Sequence, residues 1–242
     1  MTQPRLADFT ERMYFASVPR VAFSGGADSA FLGSLWYSFL IGLITIVVSI
    51  ALVVPTAYWV RLKVPRLRPV VEFITLVPFV VPPVILVFGL IRVYGGRFLP
   101  VTSLPFGGDL LLVAAYVILS LPYMYRAVDT GLRSIDVRSL TEAAQSLGSG
   151  WGTILVRVIL PNLRTALLSG AFLTFAIVIG EFTIANYLAR PAFGPYLSHL
   201  GNNRAYEPAA VSLISFGLTW VAMGLISLAG RGGRRVQVVG AR

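Results

Sequence analysis

The sequence predicts an all-α integral membrane protein whose chain forms a bundle of five transmembrane helices. Its 242 residues are 56% hydrophobic and 12% charged, which is about half the charge content of a soluble domain. Five long apolar runs follow one another, and most charged residues flank these runs. The net charge of +10 therefore does not indicate nucleic-acid binding, and a single membrane domain accounts for the length.

The chain is predicted to have an N-terminal tail at 1–33, a membrane domain at 34–229 and a basic cytoplasmic tail at 230–242. Charged residues interrupt the N-terminal tail, residues 1–33, so it lacks the apolar centre of a signal peptide. A short interfacial helix is predicted there, with an unstructured tail as the alternative. The prediction depends on four apolar residues at helical spacing: Leu6, Phe9, Met13 and Ala16.

Each predicted span is a largely apolar run of roughly the length that a helix needs to cross a bilayer. The spans cover residues 34–60, 70–94, 110–125, 163–188 and 208–229. Pro55 is expected to bend the far end of the first span.

The second span contains Pro78, Pro82 and Pro83, so it is expected to be kinked or broken. A broken backbone inside a membrane is tolerated where protein or a cavity covers the freed carbonyl groups. Pro82 and Pro83 are therefore candidates for the lining of a translocation pathway, and the alternative is a kink that faces lipid. Glu72, at the start of this span, is expected to pair with Arg66 or Arg68.

The loop between the third and fourth spans contains a helical stretch of different character, residues 139–161. Ser139 and Glu142 have the spacing of a capping box, and Gly148 can supply the left-handed residue that ends the helix. A second short helix is predicted at 151–160, and Pro161 is expected to start the next segment. The first helix is too short to be stable alone. We therefore expect its small apolar face to lie in a groove on another protein; this face comprises Leu140, Ala143, Ala144 and Leu147.

The charges of the loops predict the orientation in the membrane. Arginine and lysine are abundant in the loops after the first and third spans and in the C-terminal tail, and scarcer in the other loops. The positive-inside rule then places residues 139–161 and the C-terminus in the cytoplasm and the N-terminus outside.

The loop resembles the EAA loop of ABC-importer permeases. The matching residues are Glu142-Ala143-Ala144, then Gly148, then Val158, Leu160 and Pro161, with Val158 where the pattern usually has isoleucine. The three letters alone recur in many helices, but the full spacing on a charged loop between spans is specific. The resemblance covers residues 34–229, and it is closest to the spermidine/putrescine-type permeases.

The resemblance implies the fold, the partners and the site. The fold would be the type I ABC importer permease bundle with a short cytoplasmic coupling helix, in a bacterial inner membrane. A second permease subunit, related or identical, would complete the pathway, a pair of ATP-binding subunits would dock on the loops, and an external binding protein would deliver substrate. The residues implied in ATPase coupling are Glu142, Ala143, Ala144, Leu147, Gly148, Leu160 and Pro161.

The chain is predicted to be a transport subunit and not an enzyme. Its one lysine, Lys63, follows no glycine-rich phosphate loop, so ATP and Mg²⁺ are expected on the partner ATPase and no cofactor in this chain. There is no cysteine, and no metal is assigned to the lone His199, which we expect in an outer loop. Asp109 is expected to cap the third span.

Glu181 is the ionisable residue predicted inside a span. It lies 18 residues after Leu163, about 27 Å along a helix and thus near the outer face of a ~30 Å core. It could attract a cationic substrate at the outer mouth, accept hydrogen bonds from the backbone, or pair with an arginine across a permease dimer. Residues 180–185 resemble spermidine/putrescine permeases, so a polyamine is the expected substrate. The alternatives are ferric iron, phosphonate, thiamine or sugar import, or a pore that needs no ATP.

Overall fold

A computed structural model describes residues 27–95 and 100–203, together with 212, 213, 217, 220, 221 and 224. The N-terminal tail before Ala27, the basic C-terminal tail and, apart from those six positions, the fifth span lie outside the described residues. Within 27–95 and 100–203 the chain forms nine numbered helices, two short 3₁₀ helices (Pro65–Leu67 and Val101–Ser103) and no strand. The numbered helices are α1 (Ala27–Lys63), α2 (Arg68–Val80), α3 (Pro83–Tyr94), α4 (Gly107–Arg133), α5 (Val137–Ser146), α6 (Trp151–Asn162), α7 (Arg164–Gly180), α8 (Thr183–Tyr187) and α9 (Phe193–Asn203).

Two described helices, α1 and α4, are long and apolar enough to cross a membrane, and two bent helix pairs bring the number of candidate spans to four. Helix α1 has 37 residues and continues through Pro55. The exposed rings of Trp36 and Trp59 lie 23 residues apart on it, or about 34 Å. Tryptophans concentrate at the two faces of a ~30 Å hydrocarbon core, so this spacing fits a transmembrane helix.

Small polar residues line the buried face of α1. Ser34, Ser38, Thr45 and Ser49 are all buried, whereas leucines, isoleucines and valines on the opposite face are exposed. Ile41, Ile46 and Val53 are buried as well. A buried face that mixes small polar and apolar residues, opposite an exposed apolar face, is typical of membrane bundles, in which small residues allow close helix packing and lipid covers the outer face. Helix α4 lies at the centre of the bundle and packs against α1, α2 and α7.

The predicted second span is broken, as expected, and its two halves α2 and α3 meet at 99°. The residue before each proline is extended, with ψ of 114° at Val81 and 141° at Pro82. A following proline disfavours the helical conformation at both positions, and neither Pro82 nor Pro83 has an N–H to continue the helix. The proline pair therefore explains the break.

The predicted fourth span differs from the structure at both ends. Helix α6 contains a π-helical segment, Ile154–Ile159, directly before Pro161, and meets α7 at 80°. Pro161 lies inside the last turn of α6 and does not start a new segment. Helix α7 ends at Gly180, eight residues before the predicted end at Leu188, because Glu181 is extended. The short helix α8 then follows, and α9 contains His199, which was expected in a loop.

Candidate functional site

Helix α5 begins three residues earlier than the capping-box interpretation required. The N-cap is Asp136, whose carboxylate accepts hydrogen bonds from the Ser139 N–H (3.2 Å) and from the Ser139 hydroxyl (2.6 Å). These bonds lower the pKa of Asp136. The cap is therefore fully present at pH values above the usual pKa of aspartate, and it is lost only as the pH falls through the lowered pKa. Ser139 is therefore not the cap, and Glu142 pairs instead with Arg138 at 2.8 Å.

The end of α5 agrees with the sequence prediction. Gly148 has a φ of +75°. Its N–H donates to the Gln145 carbonyl (2.8 Å), and the Ser149 N–H donates to the Ala144 carbonyl (3.0 Å). Such a left-handed residue satisfies the last carbonyl groups of a helix, and glycine adopts it without the steric penalty of a Cβ atom.

The two faces of α5 have different surroundings. Val137, Thr141 and Ala144 are buried, whereas Ala143 is exposed and Leu147 is 86% exposed. The predicted apolar face is thus only partly correct, because Ala144 packs inside this chain and Leu140 is half-buried. Glu142, Ala143, Leu147 and Gly148 together form an exposed surface, which we call the docking face.

The buried face of α5 joins the membrane helices through one apolar cluster and one hydrogen bond. Ala144 and Val137 pack with residues of α1, α4 and α6. The Tyr58 hydroxyl of α1 lies 2.9 Å from the Thr141 Oγ1, and both side chains are buried. Leu160 is half-buried against the same cluster, so Leu160 and Pro161 belong to the bend between α6 and α7 and not to the docking face.

A cleft of about 520 Å³ separates α5 from the end of α1. Arg61 and Lys63 line one side, and Arg138, Glu142 and Gln145 line the other. Tyr58 and Thr141 both reach this cleft. Helix α5 is therefore held beside α1 with open space next to the contact.

Four charged side chains connect α2 and α4 at the end of the bundle that carries α5. The Asp129 carboxylate accepts hydrogen bonds from Arg68 and Arg133, both at 2.9 Å. Glu72 lies 3.1 Å from Arg68 and 3.5 Å from Arg133. The expected Glu72–Arg68 pair is thus confirmed. Asp129 was not predicted, because Arg68 lies 61 residues away, although its i,i+4 spacing to Arg133 is a signal that could have identified it.

Glu181 lies at the break between α7 and α8, where its carboxylate acts as a cap. It accepts hydrogen bonds from the N–H of Ile184 (2.9 Å) and Ala185 (3.3 Å) and from the Tyr116 hydroxyl (3.1 Å). Of the three expected environments, hydrogen bonding to the backbone is therefore confirmed. Pro82 and Pro83 lie at the other break, and α3, which begins at Pro83, packs against α8.

Asp109 does not cap α4, because the helix begins at Gly107 and its N-cap residue makes no side-chain hydrogen bond to the backbone. Its carboxylate instead accepts a hydrogen bond from the Tyr37 hydroxyl (2.6 Å) and pairs with Arg190 (3.2 Å). These partners are 72 and 81 residues away, so no local pattern could have predicted them. Arg190 and His199 line a further cavity of about 970 Å³ beside α1.

The fold and the site together define a multi-pass membrane protein of the transporter-permease class. The chain belongs to the family of binding-protein-dependent transport system inner membrane components, whose sequence pattern matches residues 53–231. It is thus an inner-membrane permease of the type I ABC importer family.

Relatives within this family carry several different names. The chain is 31% identical over 179 residues to a probable molybdenum ABC transporter permease of Haloferax volcanii, and this match covers 73% of the chain and 66% of the relative. It is 31% identical over 150 residues to a molybdenum transport system permease of Azotobacter vinelandii, covering 58% of the chain and 65% of that relative. The chain therefore spans about two thirds of the length of these relatives. Others are named for methionine, sulfate and spermidine/putrescine transport.

The fold has a counterpart among solved structures. A crystal structure of an amino acid ABC transporter superimposes with a TM-score of 0.59 at 17% identity, covering 96% of this chain and 99% of that chain. At this identity the likeness concerns the fold alone.

Proposed function

We propose that this chain forms one half of the translocation pathway of an ATP-driven importer and couples that pathway to a separate ATPase. The observation that carries the proposal is the arrangement of α5, which packs in the bundle through Val137, Thr141 and Ala144 and leaves the docking face exposed. A ten-residue helix is marginal alone, so its position must come from tertiary contacts, and it can then transmit force as a rigid body.

The residues of the loop would have distinct roles in this mechanism. Glu142, Ala143 and Leu147 would contact a cytoplasmic ATP-binding subunit, which also binds the ATP and Mg²⁺. Ala144 allows α5 to approach its own bundle closely, and Gly148 fixes the end of the helix. Closure of two ATPase subunits would then rotate the bundle between inward-open and outward-open states.

A second permease subunit, related or identical, would complete the pathway, and an extracytoplasmic binding protein would deliver the substrate. Large apolar residues of α2 and α3 are exposed, among them Phe73, Phe79 and Ile85, so these helices offer surface to lipid and to the second permease. Pro82 and Pro83 would place the break of this segment beside the pathway. Glu181 would support the pathway wall, since its carboxylate already has donors.

For the substrate we favour a tetrahedral oxyanion over the polyamine expected from the sequence. The polyamine hypothesis depended on the resemblance of residues 180–185 to spermidine/putrescine permeases, and in this stretch the Glu181 carboxylate accepts three donor groups from the chain itself. Two relatives that match over about two thirds of their length are named for molybdenum, and another is named for sulfate. In water, sulfate and oxidised molybdenum share a compact, doubly charged oxyanion form. A polyamine remains the second candidate, because one relative is named for spermidine/putrescine.

Co-purification tests the coupling role. The tagged chain, expressed in its own host, should retain an ATPase, a second permease and a binding protein in mild detergent. Glu142→Lys and Leu147→Glu should each release the ATPase while the chain keeps its thermal stability. Arg66→Glu is the matched control, because Arg66 is also an exposed charge beside the end of α1 but lies outside the docking face. A native chain that purifies folded and alone would favour a pore that needs no ATP.

Ligand binding to the purified binding protein tests the substrate. Intrinsic fluorescence should change on titration with molybdate or sulfate and should not change with spermidine. Binding of spermidine alone would restore the polyamine hypothesis, and binding of methionine alone would contradict both. Uptake of the bound ligand into vesicles that contain the whole complex should require ATP inside the vesicle.

A further inference from the structure

The hydrogen bond between Tyr58 and Thr141 connects two parts of the chain that are 83 residues apart. The Thr141 hydroxyl donates its proton to the Val137 carbonyl at 2.6 Å, so the Tyr58 hydroxyl must donate to Thr141. Tyr58 is 1% exposed and Thr141 is 7% exposed. Each hydroxyl thus has a defined role, and removal of either one leaves a buried polar group without its partner.

This bond is the polar connection of α5 to the bundle. The other side-chain hydrogen bonds found on α5 in the described part of the chain are local, within residues 136–146. The remaining contacts of its buried face are apolar. Apolar contacts can slide with little directional preference, whereas a hydrogen bond requires one distance and angle.

The surroundings of the bond make this geometric restraint important. The cleft of about 520 Å³ lies directly beside it and separates α5 from Arg61 and Lys63. Trp151 of α6 also lines this cleft, and its ring packs on the Tyr58 ring with 6.2 Å between ring centroids. Because open space remains beside α5, the helix has room to rotate into the cleft if the hydrogen bond is absent.

We infer that the Tyr58–Thr141 hydrogen bond is the joint that makes α5 move together with the first transmembrane helix. Tyr58 and Thr141 are positioning residues, since neither lies on the docking face. The inference rests on the proposed coupling function for its biological meaning. Its structural content, a fixed placement of α5 on α1, can be tested on this chain alone.

Distance measurements between spin labels test the joint directly. The chain has no cysteine, so Lys63→Cys and Ser146→Cys provide two exposed labelling sites on α1 and α5 without other changes. With Tyr58 and Thr141 intact, the distances between the two labels should form one narrow distribution. Tyr58→Phe and Thr141→Val should each raise a second population roughly two- to tenfold, the effect of losing one neutral hydrogen bond. Thr141→Ser keeps the hydroxyl and should restore the narrow distribution.

A matched control separates the joint from a general loss of stability. Ser49 and Ser120 form another buried hydroxyl–hydroxyl bond, 3.1 Å long, between α1 and α4. Ser49→Ala should lower the melting temperature about as much as Thr141→Val but leave the label distribution narrow. If the distribution also stays narrow in both Tyr58→Phe and Thr141→Val, or broadens equally in Ser49→Ala, the joint does not exist.

The assembled transporter provides the functional measurement. Complexes with Tyr58→Phe or Thr141→Val should retain the ATPase, because the docking face is unchanged, but the binding protein should stimulate ATP hydrolysis roughly two- to tenfold less. Unchanged stimulation in both variants would contradict the inference. If the native chain never retains an ATPase, the coupling function fails, whereas the label distances still decide whether the joint exists.

Discussion

At the scale of single residues, the structure shows the Glu181 carboxylate hydrogen-bonded to the first turn of α8, which is one of the three environments expected from the sequence. The carboxylate accepts two backbone N–H groups and a tyrosine hydroxyl, so it already has a structural role at the start of α8. The sequence identified the residue as unusual because it is ionisable within an apolar run. It could not identify the role, because Tyr116 is 65 residues away, although Gly180 is a residue type that often ends a helix.

Two substitutions of Glu181 distinguish this structural role from a substrate contact. Glu181→Gln retains a carbonyl oxygen for the backbone donors, so we expect a melting temperature and ATP-driven uptake close to those of the native complex. Glu181→Leu leaves the N–H of Ile184 and the Tyr116 hydroxyl without an acceptor, which should cost about 1–3 kcal/mol. For a chain of this size that corresponds to a decrease of several degrees in melting temperature. Loss of uptake in Glu181→Gln at an unchanged melting temperature would instead indicate a substrate contact.

At the scale of helices, the sequence predicted which helices exist better than it predicted the residues at which they begin and end. Apolar runs identified α1, the broken α2–α3 pair, α4 and α7, and the proline pair located the break. The start of α5 was wrong because both Asp136 and Ser139 are good cap residues, and only the observed bond from Ser139 to Asp136 selects between them. The predicted apolar face of α5 was only partly correct, because the spacing of its apolar residues does not show which of them meet the rest of the bundle.

The contact between α4 and α7 depends on two glycines, and this gives an element-scale prediction. A Cβ atom at Gly131 would lie 2.6 Å from the Ala166 Cβ, and one at Gly170 would lie 2.7 Å from the flexible Met124 side chain. Gly131→Ala should therefore destabilise the protein by about 1–3 kcal/mol, as overpacking does, and Gly170→Ala should cost less because methionine can move. Thermal unfolding in detergent measures both.

Gly89 provides the control for these glycine substitutions. It lies inside α3, and a Cβ atom there would meet nothing within 4 Å. Gly89→Ala should leave the melting temperature unchanged or raise it slightly, because alanine favours a helix by up to about 1 kcal/mol relative to glycine. Equal decreases at Gly89 and Gly131 would show that close packing of α4 and α7 is not the cause.

At the scale of the whole molecule, the two ends of the bundle are built differently. The end that carries α5 has the Arg68–Glu72–Asp129–Arg133 network, the Tyr58–Thr141 bond and the cleft. The end that carries the break at Glu181 has the Asp109–Arg190 pair and the capped helix α8. Both ends thus hold polar bonds between segments of the bundle, and the first end also holds a helix with an exposed face. This difference is what a subunit driven from one side would need.

The orientation of these ends in the membrane is the last prediction. Because the loops after α1 and α4 are rich in arginine, the positive-inside rule places α5 in the cytoplasm and the start of α4 outside. Since the chain has no cysteine, Ser146→Cys and Thr102→Cys, both at exposed positions, report the two ends separately. A membrane-impermeant maleimide should label Thr102→Cys in intact right-side-out vesicles and Ser146→Cys only in inverted vesicles. The reverse pattern would place the docking face away from ATP, and a cytoplasmic ATPase could then not drive this chain through α5.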